Sequence, residues 1–335
     1  MEYRTLGRTG LKVAALGFGC GNVGGLMVRG TPAERERAVA RAIELGINYF
    51  DTAPAYGDGL SEQHLGQALK ALKARVYVGT KVRLAPGDLN HMAPAIGRSL
   101  EASLGRLGSD RVDLLQLHNA IAPERRGNTL GVADVLEQAV PALDKLRREG
   151  KIGFWGITAL GDTEALHRVV DSGAMDSAQV FFNLLDPSAG IEVPPGFPGQ
   201  DFHGLLARAR VQRVGVIVVR VLAGGALSGT PARHPVAAPA VEPIATGPDY
   251  GTDVARAQGL TRLVDEGHVE SLVEAALRFP LGMDAVSTVL LGYSTQAHLE
   301  YAAASMAKGP LPPAALDRLV EFWSELAGTP RDNRT

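Results

Sequence analysis

Four residues of this chain have side chains and spacing suited to proton chemistry: Asp51, Tyr56, Lys81 and His118. Asp51 ends the apolar run Asn48-Tyr49-Phe50, and Tyr56 follows one short loop later. Lys81 follows the strand-like stretch Arg75 to Thr80, and His118 follows Val112 to Leu117. If these strands run parallel, all four side chains gather at one edge of one sheet. A phenol beside an ammonium, with a carboxylate and an imidazole close by, can give or take a proton opposite a hydride carrier. Taken singly, each has a plainer reading. A strand-end lysine is commonly a solvated rim residue, a lone histidine a satisfied core residue, and Asp51 a cap on its own loop. Their joint placement at successive strand ends favours the catalytic reading.

The elements that must position them alternate along the whole chain. Strands are expected over Val13 to Gly17, Asn48 to Phe50, Arg75 to Thr80, Val112 to Leu117, Gly153 to Thr158, Ala178 to Phe182, Val214 to Val219 and Ala285 to Leu291. Helices are expected from the cap Thr31-Pro32-Ala33-Glu34 to Leu45, and over 61–72, 90–107, 132–148, 164–171, 202–209 and 296–304. Short β-branched strands between amphipathic helices read as a parallel sheet buried on both faces. Eight such units predict an α/β fold, a (β/α)8 TIM barrel, with residues 1–335 as one domain. The segments around Gly7 and Gly10 read as an N-terminal β-hairpin capping the barrel bottom. Asn119 to Gly131 and the Ala/Pro/Gly-rich Thr230 to Asp253 read as long loops on the C-terminal face, and Leu311 to Leu326 as a terminal helix.

A length of 335 residues with 45% hydrophobic content suits such a barrel. A formal charge of -2, with scattered basic residues, provides no field for nucleic acid. The single cysteine, Cys20, excludes an internal disulfide and points to a reducing, cytoplasmic setting. The charged N-terminus carries no apolar segment of a secretory signal, and no apolar run approaches the ~18 residues of a membrane span.

Three motifs invite other readings. Gly19-Cys20-Gly21-Asn22-Val23-Gly24 fits a dinucleotide fingerprint, but residues 27–30 intervene before the helix cap at Thr31, so the required strand–turn–helix context fails. Tyr77-Val78-Gly79-Thr80-Lys81 has a Tyr-x-x-x-Lys spacing that needs a helix; in a strand the two side chains lie ~13 Å apart. Tyr77 is therefore expected to pack. Asp51, His64 and His118 are too few and too scattered for a catalytic metal, so none is expected.

With these residues placed, the chain resembles the aldo-keto reductase family over nearly its whole length. The resemblance lies in Gly46-Ile47-Asn48-Tyr49-Phe50-Asp51-Thr52-Ala53 with Tyr56-Gly57, in Gly79-Thr80-Lys81, and in Leu114-Leu115-Gln116-Leu117-His118. It continues through Trp155-Gly156-Ile157-Thr158, Leu222 to Gly229 and Leu291-Gly292-Tyr293-Ser294. It implies a nicotinamide cofactor, NADP(H) with NAD(H) as the alternative, and direct hydride transfer to a small-molecule carbonyl substrate. It implies Tyr56 as general acid, Lys81 beside it, Asp51 paired with Lys81, and His118 orienting the carbonyl. A free phenol titrates near pH ~10, and a neighbouring cation favours the phenolate.

The resemblance assigns cofactor contacts to Thr158 and Gln179 at the carboxamide. It assigns Leu222, Gly224, Gly225, Leu227 and Ser228 to the pyrophosphate, and Gly292, Ser294, Gln296 and His298 to the adenosine end; Arg220, beside the departure at Val219, is a candidate contact to the pyrophosphate or to a substrate anion, its plainer reading being a salt bridge at the rim. The chain departs from the pattern at Ala159, where an amide is usual and Asn183 is the candidate replacement, and at Val219, where an aromatic ring usually stacks. It departs also at His298 and Ala302. The substrate is expected to be a small aldehyde, ketone or sugar-like carbonyl, chosen by loops 22–30, 119–131, 184–200 and 230–253. Oxidation of an alcohol or lactol uses the same groups. Two alternatives are a cofactor-binding regulatory subunit with little turnover, and a hydrolase or lyase without nicotinamide. Oligomeric state is left open.

Overall fold

A computed structural model describes residues 1–328. The chain opens with an antiparallel hairpin, β1 (Tyr3–Thr5) and β2 (Lys12–Ala14). The barrel begins with β3 (Leu16–Gly19), β4 (Tyr49–Asp51), β5 (Tyr77–Val82) and β6 (Val112–Leu117). A short pair, β7 (Ile121–Ala122) and β8 (Leu130–Gly131), follows β6. The barrel then continues with β9 (Ile152–Thr158), β10 (Ser177–Phe181), β11 (Gly215–Val219) and β12 (Val286–Gly292), and β12 returns to pair with β3. All eight barrel strands are parallel and most of their residues are buried, which is why they read as apolar runs rather than alternating ones.

Helices cover the outside. α1 (Leu26–Arg29) and α2 (Pro32–Glu44) follow β3, α3 (Leu60–Leu72) follows β4, and α4 (Met92–Leu107) follows β5. α5 (Val140–Arg148), α6 (Thr163–Asp171) and α7 (Leu205–Val211) follow β6, β9 and β10. α8 (Tyr250–Gln258), α9 (Arg262–Asp265) and α10 (Leu272–Arg278) lie between β11 and β12, and α11 (Gln296–Ala307) and α12 (Pro313–Gly328) complete the chain. The expected capping box at α2 is present: Thr31 Oγ1 accepts from Glu34 N at 3.3 Å, and Glu34 Oε2 accepts from Thr31 N at 2.8 Å.

The expected hairpin closes the barrel bottom. Its Leu6 and Val13 join Tyr49, Leu114 and Ile217 in a small apolar cluster separate from the main core. Trp155 belongs to the main core and is fully buried. Tyr77 packs against the small cluster, as a strand residue.

Several boundaries differ from expectation. Lys81 lies inside β5 rather than after it. The helix expected from Val132 starts as wider, π-type turns at Asp134–Ala139 before α5. The loop expected at 230–253 ends earlier, because Asp249 Oδ1 accepts from Thr252 N at 2.8 Å and caps α8. α8, α9 and α10 were not anticipated, although Ser271 and Glu274 at the start of α10 form an S-x-x-E cap signal.

The glycine motif after β3 serves barrel closure. Leu26 N donates to Tyr293 O at 3.0 Å and Ser294 Oγ to Gly24 O at 2.7 Å, so this loop lies directly on the end of β12. A Cβ at Gly24 would come within 2.4 Å of the Gly292 carbonyl carbon and the Tyr293 nitrogen. Gly24→Ala is therefore expected to lower unfolding stability by ~1–3 kcal/mol, the usual weight of overpacking. Urea denaturation checks this, and an unchanged midpoint would mean that the seam yields freely.

Candidate active site

Strand order alone brings the chemistry together. β4, β5 and β6 are consecutive neighbours, with Asp51 in register with Gly79 and Lys81 in register with Gln116. Asp51 and Lys81 are both about 2% exposed and form an ion pair at the barrel mouth. Lys81 Nζ also donates to Thr52 O at 2.8 Å and lies 4.8 Å from the centroid of the Tyr56 ring. Tyr56 meets His118 edge to face, with ring centroids 6.3 Å apart. The four expected residues thus form one cluster.

Their protonation follows from their surroundings. Burial pulls the Lys81 ammonium down, but the Asp51 carboxylate and the Tyr56 phenol outweigh it and leave Lys81 above its ordinary value. His118 is pushed down to about 3, by burial first and then by the charges of Lys81 and Arg83. Lys81 is therefore a fixed cation and His118 a neutral imidazole over the working range. Beneath them, Gln179 Nε2 donates to Asp51 Oδ2 at 2.7 Å and Gln179 Oε1 accepts from Thr158 Oγ1 at 3.1 Å.

A cavity of about 590 Å³ opens above β11 and β12. Arg220, at its tetrad-facing end, has a left-handed backbone (φ 56) and donates to Glu242 O at 3.1 Å. Burial holds its guanidinium below the usual arginine value, and the Tyr56 phenol lies near enough to oppose this. The cavity roof is the segment between β11 and α8. Its Ala238 N donates to Val23 O at 3.1 Å, and Arg29 Nε donates to Val236 O at 2.6 Å. Segment 230–249, read from sequence as a substrate loop, thus straps across this cavity.

A sequence model of the aldo/keto reductase family matches residues 15–324. The chain belongs to this family. It is 31% identical to L-galactose dehydrogenase from Arabidopsis thaliana over 306 residues, covering 90% of this chain and 86% of that one. It is 30% identical to D-threo-aldose 1-dehydrogenase from a Pseudomonas species, covering 95% and 94% of the two chains. Its fold matches the solved aldo-keto reductase AKR11C1 from Bacillus halodurans in its holo form, with a TM-score of 0.72 at 24% identity and full coverage of both chains.

Aldo/keto reductases use nicotinamide cofactors, and the cavity of this member fits one. The turn after β11 adopts left-handed conformations at Gly224 (φ 71) and Gly225 (φ 115). A Cβ on Gly225 would press within 3.1 Å of Arg233 Nη1 and the Tyr250 hydroxyl. Of the residues expected to touch cofactor, Arg220, Leu222, Gly224, Gly225, Ser228, Gly292, Ser294 and His298 line the cavity. Leu227 instead is buried in the core, and Gln296 Nε2 donates to Glu300 Oε1 at 3.1 Å. Thr158 and Gln179 are bonded to one another and Gln179 to Asp51, and neither is part of the cavity lining. Asn183 braces the backbone: it donates to Arg220 O at 3.1 Å and accepts from Leu185 N at 2.9 Å.

Sequence reasoning missed Arg233, His234 and Tyr250, which also line the cavity. Arg233 lies over the Tyr250 ring at 5.2 Å and donates to Gly224 O at 2.9 Å. No sequence pattern marked these residues, because the strap has no repeat. Among the described residues no cluster of His, Cys, Asp and Glu could hold a metal, and no helix is long and apolar enough to cross a membrane.

The half-buried imidazole of His118 has a consequence for stability. An unfolded histidine takes up a proton near ~6.5, whereas folded His118 does so only at about 3. Between these values the unfolded chain binds more protons, so His118 makes stability fall as pH drops through that window. In His118→Gln, the thermal midpoint measured from pH 7 to pH 4 is expected to fall less steeply than in the wild type. Equal slopes would count against a neutral imidazole at His118.

Proposed function

We propose that this chain, acting as one barrel unit, is a nicotinamide-dependent oxidoreductase that reduces a small aldehyde, ketone or sugar-like carbonyl, with Tyr56 as the proton donor. The observation that carries this reading is the fixed Lys81 cation 4.8 Å from the Tyr56 ring centroid, beside a neutral His118. Lys81 sits above its ordinary value and holds its proton, while His118 gains one only near pH 3, so neither is suited to donate at neutral pH. The phenol is left as the donor. Lys81 stabilises the negative charge that Tyr56 acquires when it gives up its proton. The neutral imidazole of His118 offers a hydrogen bond that orients the carbonyl. A bound reduced nicotinamide supplies the hydride.

Arg220, the glycine turn at 224–225, Ser294 and His298 are the residues proposed to hold the cofactor. Arg220 makes no ion pair among the described residues, which suits it to an anionic pyrophosphate. Arg220 and Arg233 give the cavity two guanidinium cations, which favours NADP(H) over NAD(H). The names of two full-length relatives, acting on L-galactose and on D-threo-aldoses, support a hydroxyl-rich, sugar-like substrate. They also support the reverse direction, oxidation of a lactol or alcohol through the same groups. The lone, buried Cys20 is consistent with a cytoplasmic enzyme.

Two measurements test this. Oxidation of NADPH and NADH is followed with a panel of small aldehydes, ketones and aldoses, and reduction of NADP+ and NAD+ with aldoses. Tyr56→Phe is expected to lower kcat by roughly 10²–10⁴-fold while cofactor still binds; full activity in this variant would remove Tyr56 from the role. Arg220→Met is expected to weaken cofactor binding about tenfold or more, the weight of a charge-assisted hydrogen bond. Tight cofactor binding without turnover in any arm would point instead to a regulatory subunit.

A further inference from the structure

The geometry points to Tyr49 as a positioning residue that acts through Asp51 on the Lys81–Tyr56 pair, an inference that rests on the proposed acid role of Tyr56. Tyr49 and Asp51 are two residues apart on β4, so their side chains share the inner face of the barrel. The Tyr49 hydroxyl donates to Asp51 Oδ2 at 3.0 Å, and Gln179 Nε2 donates to the same oxygen at 2.7 Å. The other carboxylate oxygen, Oδ1, meets Lys81. Two neutral donors below and one ammonium above therefore fix the rotation of the carboxylate, and with it the height at which Lys81 is held beside the phenol of Tyr56.

The slot for Tyr49 is built for its hydroxyl. Gly79 lies opposite Asp51 in the pairing of β4 with β5, and a Cβ there would come within 2.5 Å of the Tyr49 oxygen. The ring itself packs against Leu6, Val13, Leu114 and Ile217, which phenylalanine would do equally well. Packing therefore accounts for an aromatic ring at this position, and only the Asp51 contact accounts for the hydroxyl. Burial, and then the Asp51 charge, keep the Tyr49 phenol well above its ordinary value, so it stays a donor. Lys81, the Tyr56 phenol and the Cys20 thiol are other ionisable groups around this contact; burial raises the thiol and keeps it neutral. Tyr49 touches no reacting atom, and its effect reaches Tyr56 only through the carboxylate and the ammonium.

The test is Tyr49→Phe in the full-length protein, beside Tyr56→Phe. The probe is glyceraldehyde, or whichever panel carbonyl the wild type turns over fastest. In Tyr49→Phe, kcat is expected to fall about tenfold to a hundredfold, as for loss of a hydrogen bond to a charged group. Cofactor Kd and carbonyl KM should stay within about twofold, because neither ligand touches Tyr49. Unchanged kcat, with Tyr56→Phe inactive, would overturn the inference alone. A lower kcat that only tracks a smaller fraction of cofactor-binding protein would assign Tyr49 a purely structural role and also overturn it. Full activity in Tyr56→Phe would sink the proposed function and this inference together.

Discussion

The ion pair of Lys81 with Asp51 is the constraint around which the barrel mouth is arranged. Each partner is about 2% exposed. Removing two such ions from water costs several kcal/mol apiece, and their mutual attraction offsets this only when the remaining polar atoms are also satisfied. Here they are. Thr52 O takes a second Lys81 proton, and Tyr49 and Gln179 cover the second oxygen of Asp51. Gln179 is held in turn by Thr158. A chain of polar contacts thus crosses the barrel interior from β9 through β10 to β4 and β5, beside the apolar cluster of Leu6, Val13, Leu114 and Ile217 that packs around Tyr49. Loss of either charged partner would leave a buried, uncompensated ion, so the pair ties activity and fold together.

The tetrad and the cavity are built on different principles. The tetrad rests on adjacent strands whose register is fixed by backbone pairing, so its distances are set by the sheet. The cavity is roofed by a strap whose order comes from a few side-chain-to-carbonyl bonds, chiefly those of Arg29 and Arg233. A rigid floor under a lightly tethered roof suits the proposed arrangement, in which a large cofactor enters while the proposed donor keeps its place. Barrel closure joins the two parts. β12 pairs with β3 and β3 with β4, so the loop after β3 touches both the cavity wall and Tyr56. Gly21 lies against the Tyr56 ring, and a Cβ there would sit 3.5 Å from it.

Much of this was legible in the sequence, for identifiable reasons. The tetrad could be read because Asp51, Lys81 and His118 each close a strand-like run and Tyr56 follows Asp51 by one short loop, and the parallel barrel could be inferred from the alternation of such runs with amphipathic helices. Lys81 inside β5 rather than beyond it did not disturb the reading, since one residue of strand length leaves its side chain at the same rim. The helices α8 to α10 escaped because the Ala-, Pro- and Gly-rich stretch before them carries no period. Their caps at Asp249 and Ser271 were the available signals. Tyr49 escaped for another reason. An aromatic in a strand is ordinarily a packing residue, and nothing in the sequence says that its hydroxyl meets Asp51 until the barrel closes around both. Gln179 was legible as a polar residue in a buried strand, but the structure places both ends of its amide under the tetrad.

The turn after β11 shows how the strap and the cavity floor depend on one another. Arg220 (φ 56) and Ala223 (φ 47) adopt left-handed backbone conformations without being glycine, and Gly224 and Gly225 continue the turn at positive φ. Such conformations cost of order ~1–3 kcal/mol for each non-glycine residue and persist only where neighbours over-determine them. The neighbours here come from the strap: Glu242 O accepts from Arg220, and Arg233 donates to Gly224 O. Asn183 holds the Arg220 carbonyl from the other side. The strained turn therefore needs the strap in place, and the strap takes its anchor from the turn. Opening the roof removes two of the contacts that hold Arg220 and Gly224 in shape, so access to the cavity and the conformation of its most basic wall are coupled through these bonds.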